Sequence, residues 1–488
     1  MTLPPDRGRW PPYLVLAAFI VLLLSPTVIA AAALVAAATG TAIVRRTRDR
    51  AARAGPAPNS ESAALLGTTE EGQPFYLTDH QLSAHALLLG ASGAGKTTTL
   101  LTILTDEVRR GRAVIAIDMK GSPAFADELA AAADRAQRPF RLWTLDGPGH
   151  WNPLAHGNPA ELKDRLISAE RWTEPHYQRA AERYVQTALQ VWEQAHPNGT
   201  PTLQDVVDLM GHRRLMAMLR NVPRPLARRV QDYLVSLGPD QLSAVRGLET
   251  RLAIIAESHT GAYLEPVGPD TIDVQAAMRD REVVLFSLNS SRYGKLAAQV
   301  GALVIQDLTC AMGTRLEQGR GASADGGSAA PTEPAVIGVD EASAGGLAEH
   351  MLNLFARGRE AGNPVLAAAQ EFADLERAAR GLGAQLTGIT GVKIAHRQDV
   401  PSSAVMIAEI AGTERVWEHT FQTDRRALLP NRDTGRGTRR QVDRYRVDPD
   451  VIKTLPTGHA VVITKLPTSS VQKVHVRLPR ANDQLERG

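Results

Sequence analysis

The chain has 488 residues, 43% of them hydrophobic and 22% charged, which is the composition of a folded protein with room for two or three domains. Its net charge is only +3, so bulk positive charge does not mark it as a nucleic-acid binder, although local basic segments remain. A single cysteine, Cys310, excludes an intramolecular disulfide framework and suits a reducing compartment.

A run of 32 uncharged residues, 13–44, follows a short N-terminal tail, residues 1–12. As one helix it would measure ~48 Å against a hydrocarbon layer of ~30 Å, and the sequence SPT at its centre offers a turn. We therefore predict a transmembrane hairpin first, and second a single membrane helix with an alanine-rich extension. A secretory signal would export the nucleotide loop described below, and a buried soluble helix does not need so long a charge-free run.

The segment RRTRDRAAR begins directly after this run, at Arg45. Positive residues stay on the cytoplasmic side of a membrane helix, so either topology places everything after Arg45 in the cytoplasm. The hairpin also places the tail of residues 1–12 there. The sequence thus predicts a protein of the cytoplasmic (inner) membrane, multi-pass or single-pass, whose main part is cytoplasmic.

Changes of pattern divide the rest of the chain. Residues 45–62 form a basic linker, and residues 159–270 carry amphipathic helical patterns without strand-like alternation. Strand-like runs precede and follow that segment, whereas residues 319–334 are rich in Gly, Ala, Ser and Pro and predict a surface loop. We predict an α/β nucleotide-binding domain with an all-α domain inserted into it. Its two parts are residues 63–158 and 271–478, and residues 479–488 are a tail.

The segment LLLGASGAGKTTTL contains a complete P-loop pattern between a strand-like and a helical run. Backbone N–H groups at the start of the helix hold phosphate oxygens in such a loop. Lys96 is expected to reach the β- and γ-phosphates and Thr97 to hold Mg²⁺. The predicted nucleotide-binding residues are Gly90, Ala91, Ser92, Gly93, Ala94, Gly95, Lys96 and Thr97.

Two acidic residues, Asp340 and Glu341, follow the apolar run VIGV. An aspartate that ends a buried strand can hold the Mg²⁺ shell, and an adjacent glutamate can orient and deprotonate the attacking water. A solvated strand end is the alternative, but a P-loop in the same chain favours the catalytic interpretation. The next strand-like run ends in Gln370, which is placed to sense the γ-phosphate or that water.

Two arginines, Arg357 and Arg359, close the helical run before that strand. They suit an arginine finger that enters the site of a neighbouring subunit. They suit equally a pair of solvated arginines at a helix end.

Seven segments together carry a resemblance to a known family. In chain order they are LGASGAGKTT, VIAIDMKGS, HWNPL, VIGVDEAS, ARGREAGNPVLAAAQEFADL, AGTERVWE and LPTGHAVVI, and the resemblance extends from about Leu66 to Pro467. The chain resembles the type IV secretion coupling proteins of the TraD/TraG type, of the FtsK/HerA class of motor ATPases. The membrane anchor and the inserted all-α domain also match that family's plan.

The resemblance implies a RecA-like core that binds ATP and Mg²⁺, assembles as a hexamer and moves DNA towards a conjugation channel. Relaxase or secretion-channel proteins are its implied partners. Lys96 and Thr97 match Walker A, Asp340 and Glu341 match Walker B, and Gln370 matches the sensor glutamine. Arg359, rather than Arg357, falls at the family's arginine finger. Asp118 and Lys120 match a DxKG element that lies near the nucleotide in that family, to which we assign no exact role from sequence.

Two features concern the membrane and DNA. Coupling proteins carry a substantial extracytoplasmic loop, whereas only SPT is available here, so channel contacts through that loop are not expected. The charged residues 431–446 predict a solvated surface arm rather than a DNA-facing loop. The basic residues 212–229 of the all-α domain are the better candidate for contact with a DNA backbone.

The leading hypothesis is therefore a membrane-anchored, DNA-translocating ATPase of conjugative transfer. The second keeps the motor and replaces the DNA by protein cargo. The third is a membrane-tethered P-loop module that binds nucleotide as a switch. It leaves Arg359 and the inserted helices without a purpose.

Overall fold

The computed structural model describes residues 62–170, 172–324, 333–344, 347–424 and 432–479, and these residues are built around a mixed β-sheet. Within these ranges, eleven strands lie in the order β2-β1-β13-β12-β9-β3-β8-β7-β4-β6-β5 and two more form a separate ribbon, β10-β11. The strands are β1 Ala63–Thr69, β2 Pro74–Thr78, β3 Ala86–Leu89, β4 Val114–Asp118, β5 Phe140–Thr144, β6 Val283–Ser287, β7 Val336–Asp340, β8 Val365–Ala369, β9 Val392–Ala395, β10 Thr413–Asp424, β11 Arg432–Tyr445, β12 His459–Thr464 and β13 Ser470–Val476.

The seven strands from β9 to β5 in that order are parallel. The sequences of β4, β7 and β8 are VIAID, VIGVD and VLAAA, and every residue in them is buried. Continuous apolar runs are typical of parallel strands covered on both faces. Because parallel strands end at the same edge, the residues that follow β3, β7 and β8 are brought together there. Asp118 pairs with Asp340 in register across β4 and β7.

Helices cover both faces of the sheet. They are α1 Asp79–Leu82, α2 Lys96–Arg109, α3 Pro123–Arg135, α4 Pro159–Ser168, α5 Pro175–Ala195, α6 Leu203–Met210, α7 His212–Met218, α8 Arg224–Val235, α9 Pro239–Ala256, α10 Val274–Arg279, α11 Ser290–Tyr293, α12 Lys295–Ala324, α13 Ala348–Glu360, α14 Phe372–Ala378, α15 Leu382–Ile389, α16 Pro401–Ala411 and α17 Pro449–Lys453. Ala86 and Leu88 of β3 face the core that includes α2 and α3, whereas Leu87 and Leu89 face the core of the other layer. The predicted α/β class is confirmed.

The described residues between Pro159 and Leu264 contain helices and no strand, in agreement with their amphipathic patterns. Their core is continuous with one face of the sheet. Trp151 of the HWNPL segment is fully buried at this junction, 5.2 Å from Phe286 and 5.8 Å from Trp143 between ring centroids. Its indole Nε1 donates a 3.0 Å hydrogen bond to Asp307 of α12. Trp151 thus packs the chain that leads into the helical segment against β5, β6 and α12.

Four antiparallel strands, β12, β13, β1 and β2, extend the sheet beyond β9. Strand β12 pairs with β9, β13 with β12, and β1 with both β13 and β2. The paired residues Gly67 of β1 and Val476 of β13 are 409 positions apart, so their pairing belongs to the tertiary structure rather than to a local pattern.

The loop prediction for residues 319–334 is wrong for its first part, because α12 continues to Ala324. The earlier part of this helix is anchored by the fully buried Val300, Val304 and Ile305. A glycine in the continuing helix costs only about 1 kcal/mol, which such packing outweighs. Residues 325–332 lie outside the described residues, as do the predicted tail (1–12), membrane segment (13–44), linker up to residue 61 and C-terminal residues 480–488.

Within the described ranges, one helical stretch is long and apolar enough to cross a membrane: Lys295–Glu317 of α12. Most of it is buried inside the protein, as expected for a core helix. The predicted arm of residues 431–446 corresponds to β11 from residue 432 onwards. This strand pairs with β10 over Thr413–Asp424. Most of the described side chains of the ribbon are exposed, and Val416, Val442 and Tyr445 are half-buried.

Candidate nucleotide-binding site

The P-loop lies between β3 and α2, at the carboxyl edge of the parallel strands. The backbone N–H of Gly90 donates to the Gln370 carbonyl (3.1 Å) and that of Ala91 to the Arg397 carbonyl (2.8 Å). The start of the loop is therefore held between the ends of β8 and β9. Ser92 and Gly93 are exposed at its tip, and Ala94 is buried.

Gly95 directly precedes α2 with a φ of 116°, a backbone conformation that residues with a Cβ rarely adopt. The helix start has no side-chain cap. Its first backbone N–H groups and the positive end of its dipole therefore face the loop, the arrangement that binds phosphate oxygens.

Lys96 is the first residue of α2 and is buried. Its Nζ donates to the carbonyl oxygens of Gly90 (2.6 Å) and Ala91 (3.3 Å). Burial lowers the pKa of this ammonium below its usual value, and the charge of Lys120 adds to that effect, while Glu341 and Asp340 oppose it. The Lys96 side chain thus folds back and contacts the start of the P-loop.

Thr97 and Asp340 meet across 243 positions of sequence, with the Thr97 hydroxyl donating to Asp340 Oδ2 at 2.8 Å. Asp340 is the last residue of β7 and is fully buried. Glu341 follows with a φ of 56°, uncommon for a residue with a side chain, and the next backbone N–H, of Ala342, donates to Ala368 of β8. This sharp turn is a strained position of the kind that clusters at functional sites.

Gln370 lies at the end of β8, between the P-loop strand and the strand of the two acidic residues. Its Nε2 is 3.3 Å from Glu341 Oε1 and 3.4 Å from Oε2. Gln370 therefore holds the Glu341 carboxylate from the neighbouring strand.

The DxKG element begins at the last residue of β4 and also enters the site. The resemblance implied a position near the nucleotide but no role, and the structure adds the contacts. The Asp118 carboxylate is buried and accepts hydrogen bonds from the backbone N–H groups of Lys120 (2.9 Å) and Ser122 (2.6 Å). Burial raises the pKa of Asp118 above its usual value, against those two hydrogen bonds. Asp118 thus shapes the turn that carries Lys120.

Lys120 extends from that turn onto the acidic residues. Its Nζ is 2.8 Å from Glu341 Oε1, 3.3 Å from Asp340 Oδ2 and 3.3 Å from the Thr97 hydroxyl. Burial opposes the charged form, but the Asp340 and Glu341 carboxylates outweigh it and raise the pKa of Lys120 above its usual value.

His396, which sequence reasoning missed, lies directly beneath the P-loop. It is fully buried after β9; its Nδ1 donates to the His459 carbonyl (2.9 Å), so Nε2 accepts from the Thr99 hydroxyl (2.8 Å). Burial lowers the pKa of His396 to about 4, and the positive charge of Lys96 acts in the same direction. No local pattern identifies it, since a histidine at a strand end is common.

Arg357 and Arg359 lie in the last turn of α13, and both side chains are exposed. Because α13 leads from the carboxyl end of β7 to the start of β8, its last turn lies at the opposite edge of the sheet from the P-loop. Arg357 pairs with Glu360 in its own helix (2.8 Å). Neither arginine reaches the P-loop of its own chain.

The oxygen atoms at the site suit a magnesium ion bound together with a nucleotide. In the described part of the chain, no cluster of three or more His, Cys, Asp or Glu side chains could hold a metal by itself. Mg²⁺ typically binds through one or two protein oxygens plus substrate phosphates and water. The adjacent Thr97 hydroxyl and buried Asp340 carboxylate provide such a pair.

The fold is found in solved structures of a bacterial conjugative coupling protein and of VirB4. The bacterial conjugative coupling protein TrwBdeltaN70, unbound monoclinic form, is 13% identical, with a TM-score of 0.60 over 87% of this chain and 90% of that one. TrwB in complex with ADP and Mg²⁺ is 13% identical, with a TM-score of 0.57 over 84% and 88%. VirB4 of Thermoanaerobacter pseudethanolicus is 16% identical, with a TM-score of 0.54 over 86% and 97%.

No protein-family model matches the sequence, and no curated protein matches it either. The similarity to the TrwB and VirB4 structures nevertheless confirms, at the level of tertiary structure, the resemblance drawn from the motifs. This chain has the fold of the coupling protein TrwB and of VirB4, a mixed α/β sheet with a parallel core and a P-loop.

Proposed function

We propose that this chain is an Mg²⁺-dependent ATPase of type IV secretion that couples ATP hydrolysis to DNA translocation as a ring of identical subunits. One observation carries the proposal: Lys96, Thr97, Asp340, Glu341 and Gln370 converge at the carboxyl edge of three adjacent strands, β3, β8 and β7. Similarity of fold to TrwB and VirB4 supports the same function class.

Each residue has a role that follows from its position. Lys96 and the first N–H groups of α2 bind the phosphates, and Thr97 and Asp340 hold Mg²⁺. When bound, the metal supplies charge neutralisation on the phosphate oxygens. Glu341 accepts a proton from the attacking water, and Gln370 keeps the glutamate in place. TrwB, with the same fold, has been solved with ADP and Mg²⁺ and with ATP and GTP analogues.

We assign the nucleoside of the bound nucleotide to a cavity beside the P-loop. A cavity of about 440 Å³ opens next to the start of α2 and is bounded on the far side by β13 and the residues that follow it. Its lining includes Gly95, Thr98, Gly458, His475 and Leu478. A nucleotide whose phosphates lie on the P-loop would place its base in this cavity.

A ring explains why Arg359 is exposed far from the loop of its own subunit. His85 anchors the helix end next to it: Nε2 donates to the Phe355 carbonyl (2.8 Å) and Nδ1 accepts from the Val365 N–H (3.1 Å). An arginine held there serves as an arginine finger only for an adjacent subunit, so hydrolysis would depend on assembly.

The DNA contact that we propose is the basic segment of residues 212–229, on α7, α8 and the turn between them. It contains six arginines and no acidic residue, and all six are exposed. Among the contacts of the described residues, Arg214 alone of the six pairs with a carboxylate, that of Asp208. Exposed cations without a fixed partner suit the phosphate backbone, which is bound without regard to sequence.

Attachment to the cytoplasmic membrane through residues 13–44 belongs to the proposal on sequence grounds. Relaxase and secretion-channel proteins are the partners that the coupling-protein resemblance suggests.

The test is ATP hydrolysis by the full-length chain in detergent, with and without DNA, over a range of protein concentrations. We expect DNA to stimulate turnover, and specific activity to rise with protein concentration as subunits assemble. Lys96→Ala, the control, should abolish turnover. If activity rises with protein concentration but does not respond to DNA, a motor for protein cargo is the better hypothesis. If hydrolysis responds to neither, the protein is a nucleotide switch.

A further inference from the structure

We infer that Lys120 is a positioning residue whose ammonium occupies the cation position between Thr97, Asp340 and Glu341, and that it leaves this position when Mg²⁺ and nucleotide bind. The inference rests on the proposed function. It assigns Lys120 a role in metal entry that follows from three contacts.

Lys120 Nζ lies within 3.3 Å of one oxygen of each of these three residues. Two of those oxygens, on Thr97 and Asp340, are the ones proposed to hold the metal. The third belongs to the proposed general base, at 2.8 Å. The ammonium and a divalent ion would therefore compete for the same atoms.

A cation is needed there before the metal arrives. The Asp340 carboxylate is fully buried and is adjacent in sequence to a second carboxylate, Glu341. Two neighbouring carboxylates with little solvent are unfavourable without a positive charge, since their solvation is lost and they repel each other. Lys96 is turned towards the carbonyls of its own loop, so Lys120 supplies the direct ion pairs.

The side chain of Lys120 can leave while its backbone stays. Asp118 holds the backbone N–H groups of Lys120 and Ser122, and Gly121 has a φ of 69° against Asn289, where a Cβ would lie 2.5 Å from the Asn289 Cβ. The turn is thus fixed, whereas the Lys120 side chain remains 42% exposed. Rotation about its four-carbon stem moves the ammonium to solvent without a change in the loop.

Departure of Lys120 would also free one oxygen of Glu341. Until then, the carboxylate is held by Lys120 on one side and by Gln370 on the other. The proposed general base would become available only after the metal and nucleotide are in place.

The experiment measures affinity for a fluorescent ADP analogue, in Mg²⁺ and in EDTA, with the full-length chain in detergent. The dissociation constant in EDTA divided by that in Mg²⁺ measures the coupling between metal and nucleotide binding. In Lys120→Met we expect this coupling to increase about tenfold, because a competing cation is lost. Lys120→Arg keeps the charge and should stay near wild type. Lys453→Met, which removes another half-exposed lysine paired with an aspartate, is the control.

A Lys120→Met ratio equal to that of the wild type would overturn the inference, even if the variant were less stable. Such a result would mean that the ion pairs of Lys120 with Asp340 and Glu341 are structural and do not affect metal binding. Should Lys120→Met not fold, Lys120→Gln carries the same test. Failure of the wild type itself to bind the analogue would contradict the proposed function and is thereby distinguished from failure of the inference.

Discussion

Gln370 and Glu341 face each other across the ends of two neighbouring strands, with Nε2 3.3 Å from Oε1 and 3.4 Å from Oε2. The amide contacts both oxygens of the carboxylate and so restrains its rotation. Because Gln370 also receives the Gly90 N–H on its backbone carbonyl, one residue links the start of the P-loop to the proposed general base.

Gln370→Ala should therefore lower the rate of ATP hydrolysis while leaving nucleotide affinity nearly unchanged. Loss of the base itself in Glu341→Gln should cost about 10²–10⁴ in kcat, the usual range for a general base, and Gln370→Ala should cost less. Steady-state kinetics together with equilibrium nucleotide binding separate the two effects.

The matched control is Gln204→Ala, since that amide also donates to a carboxylate, Asp208 Oδ1, at 3.1 Å. It lies on α6, in the helical segment, and should leave kcat unaltered. A Gln370→Ala variant with wild-type kcat would remove Gln370 from the catalytic site.

Arg359→Ala should lower the kcat of ATP hydrolysis about 10³–10⁵-fold, the contribution of an arginine finger in other systems. Mixing Arg359→Ala subunits with Glu341→Ala subunits should then restore part of the activity, because some interfaces would combine an intact finger with an intact base. Turnover measured across mixing ratios checks this.

Arg357→Ala serves as the control, since that arginine pairs with Glu360 on the same helix turn. It should retain most of its activity. If no mixture recovers turnover, Arg359 does not act across a subunit interface.

His396 gives the fold a pH dependence. Its pKa is lowered by burial to about 4 from the usual 6.5, so between these values the unfolded chain binds a proton that the folded chain does not. Stability due to neutral His396 is thus full above pH 6.5 and is lost as the pH falls towards 4. His85, whose pKa is also lowered by burial to about 4, acts in the same direction.

We expect His396→Asn to be less stable than the wild type at pH 7.5, because its bonds to Thr99 and His459 are weakened or lost. Its stability should fall less steeply on acidification, by at most about 1.4 kcal/mol per pH unit between pH 6.5 and 4. Denaturant unfolding at several pH values measures the slope. His80→Asn, at an exposed position, should keep the wild-type slope, and an unchanged slope in His396→Asn would contradict the assignment.

The basic segment predicts a salt-dependent interaction with DNA. Replacement of Arg220, Arg224 and Arg228 by alanine should weaken binding equally for unrelated DNA sequences and reduce the salt slope by about one per lost phosphate contact. Hydrolysis without DNA should not change. Binding titrations at several salt concentrations provide the measurement.

A control triple variant at other exposed arginines, Arg279, Arg377 and Arg415, removes the same charge elsewhere. Equal loss of DNA affinity in both triple variants would show that net charge, rather than this surface, binds DNA.

The sequence alone determined the P-loop, the buried strands β4, β7 and β8, and the helical character of the segment after Pro159. These features depend on residues that are close in sequence: glycines before a lysine and threonine, continuous apolar runs, and apolar residues at helical spacing. The motif order also identified the fold that TrwB and VirB4 share.

Only the tertiary structure decided what surrounds the loop. The DxKG motif implied that Lys120 lies near the nucleotide, but its contacts with Asp340 and Glu341 depend on which strand ends are neighbours. The position of His396 and the β1–β13 pairing depend on the same neighbours, and no local pattern contains that information. Thr97 and Asp340 are 243 residues apart, yet their hydroxyl and carboxylate lie 2.8 Å from each other, because parallel strands bring distant residues to one edge of the sheet. That geometric fact turns separate motifs into one site.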